Sequence, residues 1–504
     1  MNQATTWLRR LLSARGQCRL AGAAVAISLL PFVVLAFDSH PSLDDFQDAV
    51  MRRNLGFWGA QRTLYVGWTG RYFSSLLLMD LSPLRWRAWS SLYFLVPLVT
   101  LLAMAGGLYA FFTVLASGAW SIKMRVLAAG TVLSLWLAQS PSVAECLYWY
   151  NAVAVYSLPG ALFLLWLVVL SVLLQRHRGG ARGYWRWWIT TALLSIALIG
   201  SNEILALMVF AGLAVATLWS KLHRNNQLMA LVGLLLTAAV AMPVAFLAPG
   251  NAQRLSVINR SVHLGWAALG TVGSSGYLLI NWLGNGLLIA ATALALPTLV
   301  SLANHHTGPV RWLKKVNFWL LTAILLVLLF ATGLPSYVAT GGMMPLRART
   351  TVYLLFLVGW VVLLLASVGW AQRRWPVLNA LPTNWPPAVA ALLWGWLLLS
   401  FVTDHNVRVE RASMGQGSNS IVLAYRDWLS GAGKQYNAQL RERYQQLSHS
   451  PNRSLRVAPL AAEPSTLLYY DITTDSAYWG NIAYAQFFRQ RAIVVGPGGH
   501  APPP

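Results

Sequence analysis

The sequence has little charge, few acidic residues and almost no cysteine. Only 10% of its 504 residues are charged, and 14 Asp and Glu stand against 37 Lys and Arg. A soluble domain of this length would carry far more surface charge, so the composition indicates a membrane protein. The two cysteines, Cys18 and Cys146, are predicted below to lie on opposite sides of a bilayer. They therefore provide neither a disulfide framework nor a cysteine-based metal site.

The sequence also lacks the common nucleotide-binding, metalloprotease and hydrolase motifs. It contains no Walker motif, no G-x-G-x-x-G after a strand, no H-E-x-x-H and no G-x-S-x-G. The net charge of +23 is in the range of nucleic-acid-binding proteins. However, the basic residues recur in short clusters between long apolar runs, which is typical of cytoplasmic loops rather than of a nucleic-acid surface.

Long apolar runs dominate what is present. A membrane-spanning helix needs about 20 mostly apolar residues. The sequence therefore predicts an all-α polytopic membrane protein with about eleven transmembrane helices. The predicted spans are 20–37, 90–116, 126–140, 152–174, 188–201, 203–220, 227–247, 276–303, 316–333, 347–369 and 386–402.

The loops alternate in charge, and this alternation predicts the orientation. One set contains Lys and Arg but no Asp or Glu, and consists of the N-terminus to Leu20, 117–125, 175–187, 221–226, 304–315 and 371–385. By the positive-inside rule these segments are cytoplasmic. Every acidic residue then lies in or beside the alternate loops. We expect a cytoplasmic N-terminus and an external C-terminus.

Two of the outside segments are long. The first, 38–89, is predicted to form short helices on the membrane surface, with Phe46, Ala49 and Val50 facing lipid or core. It belongs to a predicted transmembrane domain, 1–402. The second, 403–495, is predicted to be a small α/β C-terminal exoplasmic domain, followed by a disordered end at 496–504. Its predicted elements are helices at 421–447 and 475–488 and strands at 455–460, 466–472 and 492–495.

The most informative polar cluster is the pair Asp44 and Asp45, just after the first apolar run. Two adjacent carboxylates at a membrane boundary repel each other, so one can retain a proton or a cation while the other accepts a proton. The pair is therefore a candidate general base, and also the candidate ligand set if Mg²⁺ or Mn²⁺ binds. The alternative is helix capping, because Asp is favoured at a helix start and complements its dipole.

Other polar and aromatic residues are predicted to lie at the same outer surface. Acids close to membrane depth are functional candidates, guanidinium groups bind phosphate in bidentate fashion, and aromatic rings can stack on a sugar. The alternatives are solvated carboxylates, an aromatic belt and snorkelling arginines. The candidate binding residues are Arg71, Tyr72, Glu145, Tyr148, Trp149, Asn202, Glu203, Asn251, Arg254 and Arg347.

Taken together, these motifs resemble the GT-C superfamily of membrane glycosyltransferases, which use polyprenyl-phosphate-linked sugars. More narrowly, the sequence is similar to a group of bacterial membrane proteins classed near that superfamily. The resemblance covers most of the chain, through short motifs that share an order and an outside placement. They are Asp44-Asp45-Phe46, Trp68–Tyr72, Glu145–Trp149, Asn202-Glu203, Pro249–Arg254, Pro345–Arg347, Asp471–Asp475 and Trp479–Asn481.

The resemblance implies a GT-C-like fold and a transferase of the bacterial cytoplasmic membrane. It would move a sugar from a polyprenyl-phosphate carrier to a glycan or lipid acceptor of the cell envelope, on the outer face. Asp44 or Asp45 would be the base. The carrier phosphate would be held by Arg71, Arg254 and Arg347, and Glu145 and Glu203 would bind sugar hydroxyls or position the base. No further acidic ligand accompanies the Asp pair, so metal dependence stays open.

Other functions remain compatible with the sequence. A transporter or flippase for a lipid-linked sugar would place its charges near the bilayer midplane. The acids here concentrate at one surface, which favours the enzyme. A glycan ligase or polymerase acts on lipid-linked sugars at that same surface, and the sequence does not separate it from a transferase. A non-enzymatic assembly partner is the third alternative, since the charged tail would suit such a role.

Overall fold

The computed structural model describes residues 12–86, 88–116, 118–179, 183–258, 264–305, 308–380, 384–410, 413–449 and 452–497. Most of this chain is helical. Of the end predicted to be disordered, residues 498–504 lie outside the described residues, so that prediction is not tested there.

Within the described residues, eight helical segments are long and apolar enough to cross a membrane. The chain is thus an all-α polytopic membrane protein. The eight segments are Ala14–Asp38, Trp89–Ala116, Tyr150–Arg178, Glu203–Leu222, Leu228–Phe246, Gly286–Asn304, Phe318–Thr340 and Leu346–Arg374. Other largely apolar helices are shorter, namely Ile122–Ala138, Tyr184–Ile199 and Pro387–Thr403.

Several of the long segments combine more than one helix. Their parts are Ala14–Leu35 with Ala36–Asp38, Trp89–Leu92 with Leu95–Ala116, Tyr150–Ala152 with Val153–Ser157 and Leu158–Arg178, and Phe318–Ala331 with Leu334–Thr340. The other described helices that precede the C-terminal segment are Leu43–Gly67, Tyr72–Asp80, Pro83–Arg85, Ala144–Tyr148, Pro249–Ile258, Leu264–Leu283, Gly308–Leu313 and Pro376–Ala380.

The predicted span 276–303 is wrong as a single helix. The chain breaks at Gly284 and Asn285, between the helices Leu264–Leu283 and Gly286–Asn304. Asn285 caps the second helix, since its side chain accepts a hydrogen bond from the N–H of Leu288 at 3.0 Å. The carboxylate of Asp404 accepts another from the N–H of Leu287 at 2.7 Å. These caps favour a new helix start inside an otherwise continuous apolar run.

The first outside segment consists of helices: the short helices Tyr72–Asp80 and Pro83–Arg85 follow the longest element, Leu43–Gly67, which is two helices joined across a kink. This longest helix bends at Gly56, whose φ of 68° is in the left-handed region that favours glycine. Phe46 is 0% exposed and Val50 is buried. These two side chains were predicted to face lipid or core, and both face the core. This helix carries the acidic pair at its first turn.

The C-terminal segment contains short strands and helices. The strands His405–Glu410 and Ser413–Ser418 form an antiparallel hairpin, and Ser454–Val457 pairs in parallel with Ala492–Val495. The predicted helix 421–447 is broken at Gly431 (φ 79°) into Ser420–Leu429 and Ala432–Ser448. The last helix, Trp479–Phe488, begins four residues after its predicted start.

The predicted strand 466–472 is wrong, because the side chain of Asp427 holds this segment in a turn. The carboxylate of Asp427 accepts hydrogen bonds from the N–H and the hydroxyl of Thr466, at 3.0 and 2.8 Å. A side chain that satisfies backbone groups in this way competes with strand pairing.

The C-terminal segment packs directly on the helix Leu43–Gly67. Arg53 donates a hydrogen bond to the carbonyl oxygen of Gln486 at 2.7 Å, and Ser42 donates one to that of Tyr470 at 3.3 Å. The ring of Phe46 lies against that of Tyr484, with centroids 4.6 Å apart. The tail and the acidic pair therefore belong to one packed region.

Candidate functional site

The start of the helix Leu43–Gly67 fixes Asp45 in an inward position, where it is 1% exposed. Its Oδ2 accepts hydrogen bonds from the N–H of Ser42 at 3.0 Å and the hydroxyl of Tyr93 at 2.8 Å. Its Oδ1 accepts one from the N–H of Asn151 at 2.9 Å. The bond to Ser42 is that of a capping box. Asp45 therefore caps the helix and ties it to the neighbouring segments.

Asp44 has different surroundings. It is half-buried and forms no hydrogen bond or ion pair with another residue in the described part of the chain. Burial raises the pKa of Asp44 to about 6, and the positive charge of Arg347 limits the rise. A carboxylate with a pKa near neutral is well matched to accepting a proton from a substrate. Asp44 is the member of the pair that is available to a ligand.

Asp48 lies one turn further along the same helix face. Its carboxylate accepts a hydrogen bond from the side-chain amide of Asn151 at 2.8 Å, so Asn151 joins Asp45 and Asp48. Burial raises the pKa of Asp48, and the charge of Asp44 adds to the rise. Asp48 was not predicted as a site residue, although its spacing of four from Asp44 places the two on one face.

A second group joins Arg71, Glu203 and Arg254. Arg71 donates two hydrogen bonds to Glu203, from Nε to Oε1 at 3.1 Å and from Nη2 to Oε2 at 2.7 Å. Nη2 of Arg254 lies 3.5 Å from the same Oε1. Two guanidinium groups thus share one carboxylate, which leaves one positive charge in excess. A paired, ordered guanidinium with charge in excess suits an anionic ligand.

The third group centres on Arg347, which lies at the start of a membrane-spanning helix. Its Nη1 donates to Oε2 of Glu145 at 3.0 Å and to the hydroxyl of Tyr469 at 3.2 Å. The guanidinium also lies over the ring of Trp149, 5.4 Å from its centroid, and that ring stacks on Tyr469 with centroids 3.9 Å apart. These contacts hold Arg347 between a carboxylate and two aromatic rings.

The arginine groups lie within electrostatic reach of one another. Burial and the charge of Arg347 lower the pKa of Arg71, but Glu203 and Tyr156 together raise it above its usual value. Burial and the charge of Arg71 lower the pKa of Arg254. The guanidinium of Arg71 lies 5.8 Å from the ring centroid of Tyr156. The three arginines and Asp44 therefore form one connected charged region.

A close approach of two backbone segments brings Arg71 and Arg254 together. A side chain at Gly70 would overlap the carbonyl oxygen of Ala245, and the N–H of Gly70 donates to Oδ1 of Asn251 at 3.0 Å. The Nδ2 of Asn251 donates back to the carbonyl oxygen of Ala245 at 2.8 Å. Glycine is required where two backbones come this close. These contacts join the segment Trp68–Arg71 to the segment Pro249–Asn251.

Comparison with known proteins does not assign the chain to a family. No family model matches the chain, and no curated protein matches its sequence.

Several predicted binding residues make contacts that hold the fold. The hydroxyl of Tyr148 donates to the carbonyl oxygen of Phe32, and that of Tyr72 to the carbonyl oxygen of Ile196. Asn202 caps the helix Glu203–Leu222, and its amide also donates to the carbonyl oxygen of Val155. Asn251 holds Gly70 as described above. These side chains position the charged residues around them.

The structure adds two aromatic residues that were not predicted, Tyr156 and Tyr469. Tyr156 lies in a π-helical turn, Val153–Ser157, and another such turn, Ala144–Tyr148, carries Glu145. Such turns are frequent at functional sites. Tyr469 comes from the C-terminal segment, more than 300 residues from Trp149 in sequence. No local motif in the sequence marks that contact.

The charged region does not fit a metal centre built by the predicted pair. Within the described residues, no group of three or more His, Cys, Asp or Glu side chains could hold a metal ion. Both oxygens of Asp45 already accept hydrogen bonds. The chemistry proposed below therefore uses no step at a metal.

Proposed function

We propose that the protein is a membrane glycosyltransferase that moves a sugar from a polyprenyl-phosphate carrier to a glycan or lipid acceptor of the cell envelope. One observation carries the proposal. Asp44, half-buried and without a hydrogen bond or ion pair to another described residue, lies in the field of Arg347, and Arg347 lies within electrostatic reach of Arg71. A base beside a cationic region is what transfer from a phosphate-linked donor requires.

In the proposed reaction, the hydroxyl oxygen of the acceptor forms a bond to the anomeric carbon of the sugar. Asp44 accepts the proton that this hydroxyl loses. The bond from that carbon to the carrier phosphate oxygen breaks, and its electron pair leaves with the phosphate. Negative charge grows on the phosphate in the transition state, and Arg71, Arg254 and Arg347 stabilise it. Asp44 then returns its proton to solvent.

The two glutamates have a supporting part in this proposal. Glu203 and Glu145 hold the guanidinium groups in fixed positions before the donor binds, so little side-chain ordering remains for binding. The stacked rings of Trp149 and Tyr469 offer a flat apolar surface for a sugar ring. Nε1 of Trp149 is buried without a hydrogen-bond partner in the described part of the chain, so a ligand hydroxyl would satisfy it.

The proposed topology has eleven crossings, with the N-terminus inside and the site and tail outside. They comprise the eight long spans together with Ile122–Ala138, Tyr184–Ile199 and Pro387–Thr403. The helix Leu264–Leu283 does not cross in this topology. Support comes from Asp404, whose bond to Leu287 places the start of Gly286–Asn304 beside the end of Pro387–Thr403. The outer segments 403–495 then form a small α/β domain over the site.

The test is complementation of a bacterial strain whose envelope glycan depends on this protein. Asp44→Asn is expected to lower incorporation of the sugar by about 10²-fold or more, because a general base contributes about that much. Glu442→Gln is the matched control, since it removes an exposed acid from the C-terminal segment. Mass spectrometry of the glycans and immunoblots of the membranes give the two readouts. Full complementation by Asp44→Asn at normal protein level would refute the proposal.

A further inference from the structure

A long stretch of the chain has basic residues and no acidic ones. Between Glu203 and Asp404 the sequence contains no Asp or Glu. At one end of the helix bundle, Lys314, Lys315 and Arg373 come together in this stretch, and none of them forms an ion pair within the described residues. Nearby cations without a carboxylate attract an anion from elsewhere.

Two of these cations, Lys315 and Arg373, border a pocket of about 490 Å³. It lies where the span Phe318–Thr340 begins and the span Leu346–Arg374 ends. Both basic and aromatic side chains line it, including Lys315, Phe318, Trp319, Trp370 and Arg373. The pocket is thus at the depth where the ends of two spans meet the lipid headgroups.

Beside the pocket, a close packing contact holds Lys314, the residue before Lys315, against the helix Leu346–Arg374. A Cβ at Gly369 would lie 2.9 Å from Cγ of Lys314 and 3.1 Å from its Cα, so the absence of a side chain at 369 admits the lysine. Burial and the charge of Arg373 lower the pKa of Lys314. The packing therefore holds two cations close enough to repel each other, at a cost that a bound anion would offset.

The aromatic side of the pocket is exposed at the protein surface. Phe318 and Trp370 stack with centroids 5.8 Å apart, and Trp370 meets Trp375 at 5.6 Å. Trp319 is 66% exposed and Trp375 is 51% exposed. Exposed tryptophans at the ends of spans are typical of the membrane–water interface.

We propose that this pocket binds the phosphate headgroup of an anionic bilayer phospholipid. Lys315 and Arg373 would contact the phosphate, while the tryptophans pack against the glycerol backbone and the upper acyl chains. Inorganic phosphate shares the anionic chemistry but not the apolar contacts. The site does not depend on the proposed sugar transfer, because it contains none of the residues assigned to that reaction.

The experiment uses the purified full-length chain in nanodiscs of phosphatidylcholine, with and without phosphatidylglycerol. Native mass spectrometry after release into detergent counts the lipids that each chain retains. The wild-type chain is expected to retain phosphatidylglycerol in preference to phosphatidylcholine. The double variant Lys315→Gln with Arg373→Gln is expected to bind phosphatidylglycerol roughly 30-fold more weakly, because two headgroup contacts are lost.

The control is Arg178→Gln with Lys221→Gln, which removes two exposed basic charges outside the pocket. It should retain phosphatidylglycerol as the wild-type chain does. Lys315 and Arg373 are exposed, so the double variant should melt at the wild-type temperature in phosphatidylcholine alone. Equal retention by pocket and control variants would overturn the proposal. Displacement of phosphatidylglycerol by inorganic phosphate would also overturn it, since the site would then be one for a free anion.

Discussion

Asp44 and Asp45 are neighbours in sequence but have different physical roles in the structure. Asp45 is 1% exposed and accepts three hydrogen bonds, while Asp44 is half-buried and makes none to another described residue. Helix geometry causes the difference, because successive side chains point about 100° apart. Capping and general-base catalysis were alternatives for the pair. The structure assigns capping to Asp45, and we propose catalysis for Asp44.

The pH dependence of transfer is the first prediction at this scale. Burial raises the pKa of Asp44 to about 6. A base must be ionised to accept a proton, so the rate should rise about tenfold per pH unit below pH 6 and level off above pH 7. Initial rates of sugar incorporation in isolated membranes between pH 4 and pH 8 provide the measurement. A rate that stays constant down to pH 4 would exclude Asp44 as the base.

The stability of Asp45→Asn is the second prediction. An amide has an NH₂ group in place of one of the two carboxylate oxygens, so this NH₂ faces either the N–H of Asn151 or the two donors Ser42 and Tyr93, and the mismatch leaves buried groups unpaired. We expect a loss of about 1–3 kcal/mol in the free energy of unfolding. Asp44→Asn is the control and should melt at the wild-type temperature. Thermal unfolding in detergent, followed by tryptophan fluorescence, compares the two variants. Equal melting temperatures would argue against the capping role of Asp45.

At the scale of elements, the site depends on how segments approach each other. The backbone at Gly70 meets the end of the helix Leu228–Phe246, and the helix Pro249–Ile258 starts directly after that contact. Arg71 and Arg254 reach Glu203 from these two segments. A single glycine thus determines whether two arginines from distant parts of the sequence share one carboxylate.

Gly70→Ala is the third prediction. The added methyl group would overlap the carbonyl oxygen of Ala245 and force the segments apart, so both the melting temperature and sugar transfer should fall. Gly67→Ala is the matched control, because a Cβ at position 67 meets nothing within 4 Å. Thermal unfolding and glycan analysis give the comparison. If the two variants behaved alike, the close approach at Gly70 would not be needed for the site.

The sequence predicted the membrane helices better than it predicted the elements outside the membrane. Long apolar runs have few alternatives to a helix in lipid, because every backbone hydrogen bond must be made within the segment. Two of the errors fall where a side chain stops an element: Asn285 and Asp404 bind the N–H groups of Leu288 and Leu287, and Asp427 binds Thr466. The contacts of Asp404 and Asp427 join residues far apart in sequence and leave no local pattern, whereas Asn285 lies only three residues before Leu288.

At the scale of the whole molecule, the C-terminal segment packs over the first outside helix and contributes to the charged region. Tyr469 contacts Arg347 and stacks on Trp149, and Arg53 contacts the carbonyl oxygen of Gln486. The sequence predicted that the acids would lie on one side of the membrane. It did not predict that the tail would supply a ring to their surroundings, because chain folding over hundreds of residues decides that contact.

The proposed topology gives the fourth prediction. His449 lies in the tail and His223 in a loop predicted to be cytoplasmic, and both are exposed. In spheroplasts, a membrane-impermeant maleimide should label His449→Cys at once and His223→Cys only after permeabilisation. The wild-type chain gives the background labelling of Cys18 and Cys146. Labelling of His223→Cys before permeabilisation, or protection of His449→Cys, would require a different number of crossings.

The structure brings several of the candidate site residues into contact, for a physical reason. Complementary charge brings Glu203 together with Arg71 and Arg254, and Glu145 together with Arg347. Acids and arginines at the same membrane depth have few other partners. The sequence could not predict which carboxylate pairs with which guanidinium. It therefore did not anticipate that the two glutamates bind arginines and that Asp44 stays unpaired within the described residues.

The most direct test of the account is a cryo-electron microscopy structure of the full-length chain with polyprenyl phosphate bound. The phosphate is expected to lie within hydrogen-bond distance of at least one of Arg71, Arg254 and Arg347, on the side that faces Asp44. Its prenyl chain should extend into the bilayer. A phosphate bound away from all three arginines and from Asp44 would contradict the site assignment and with it the proposed transfer.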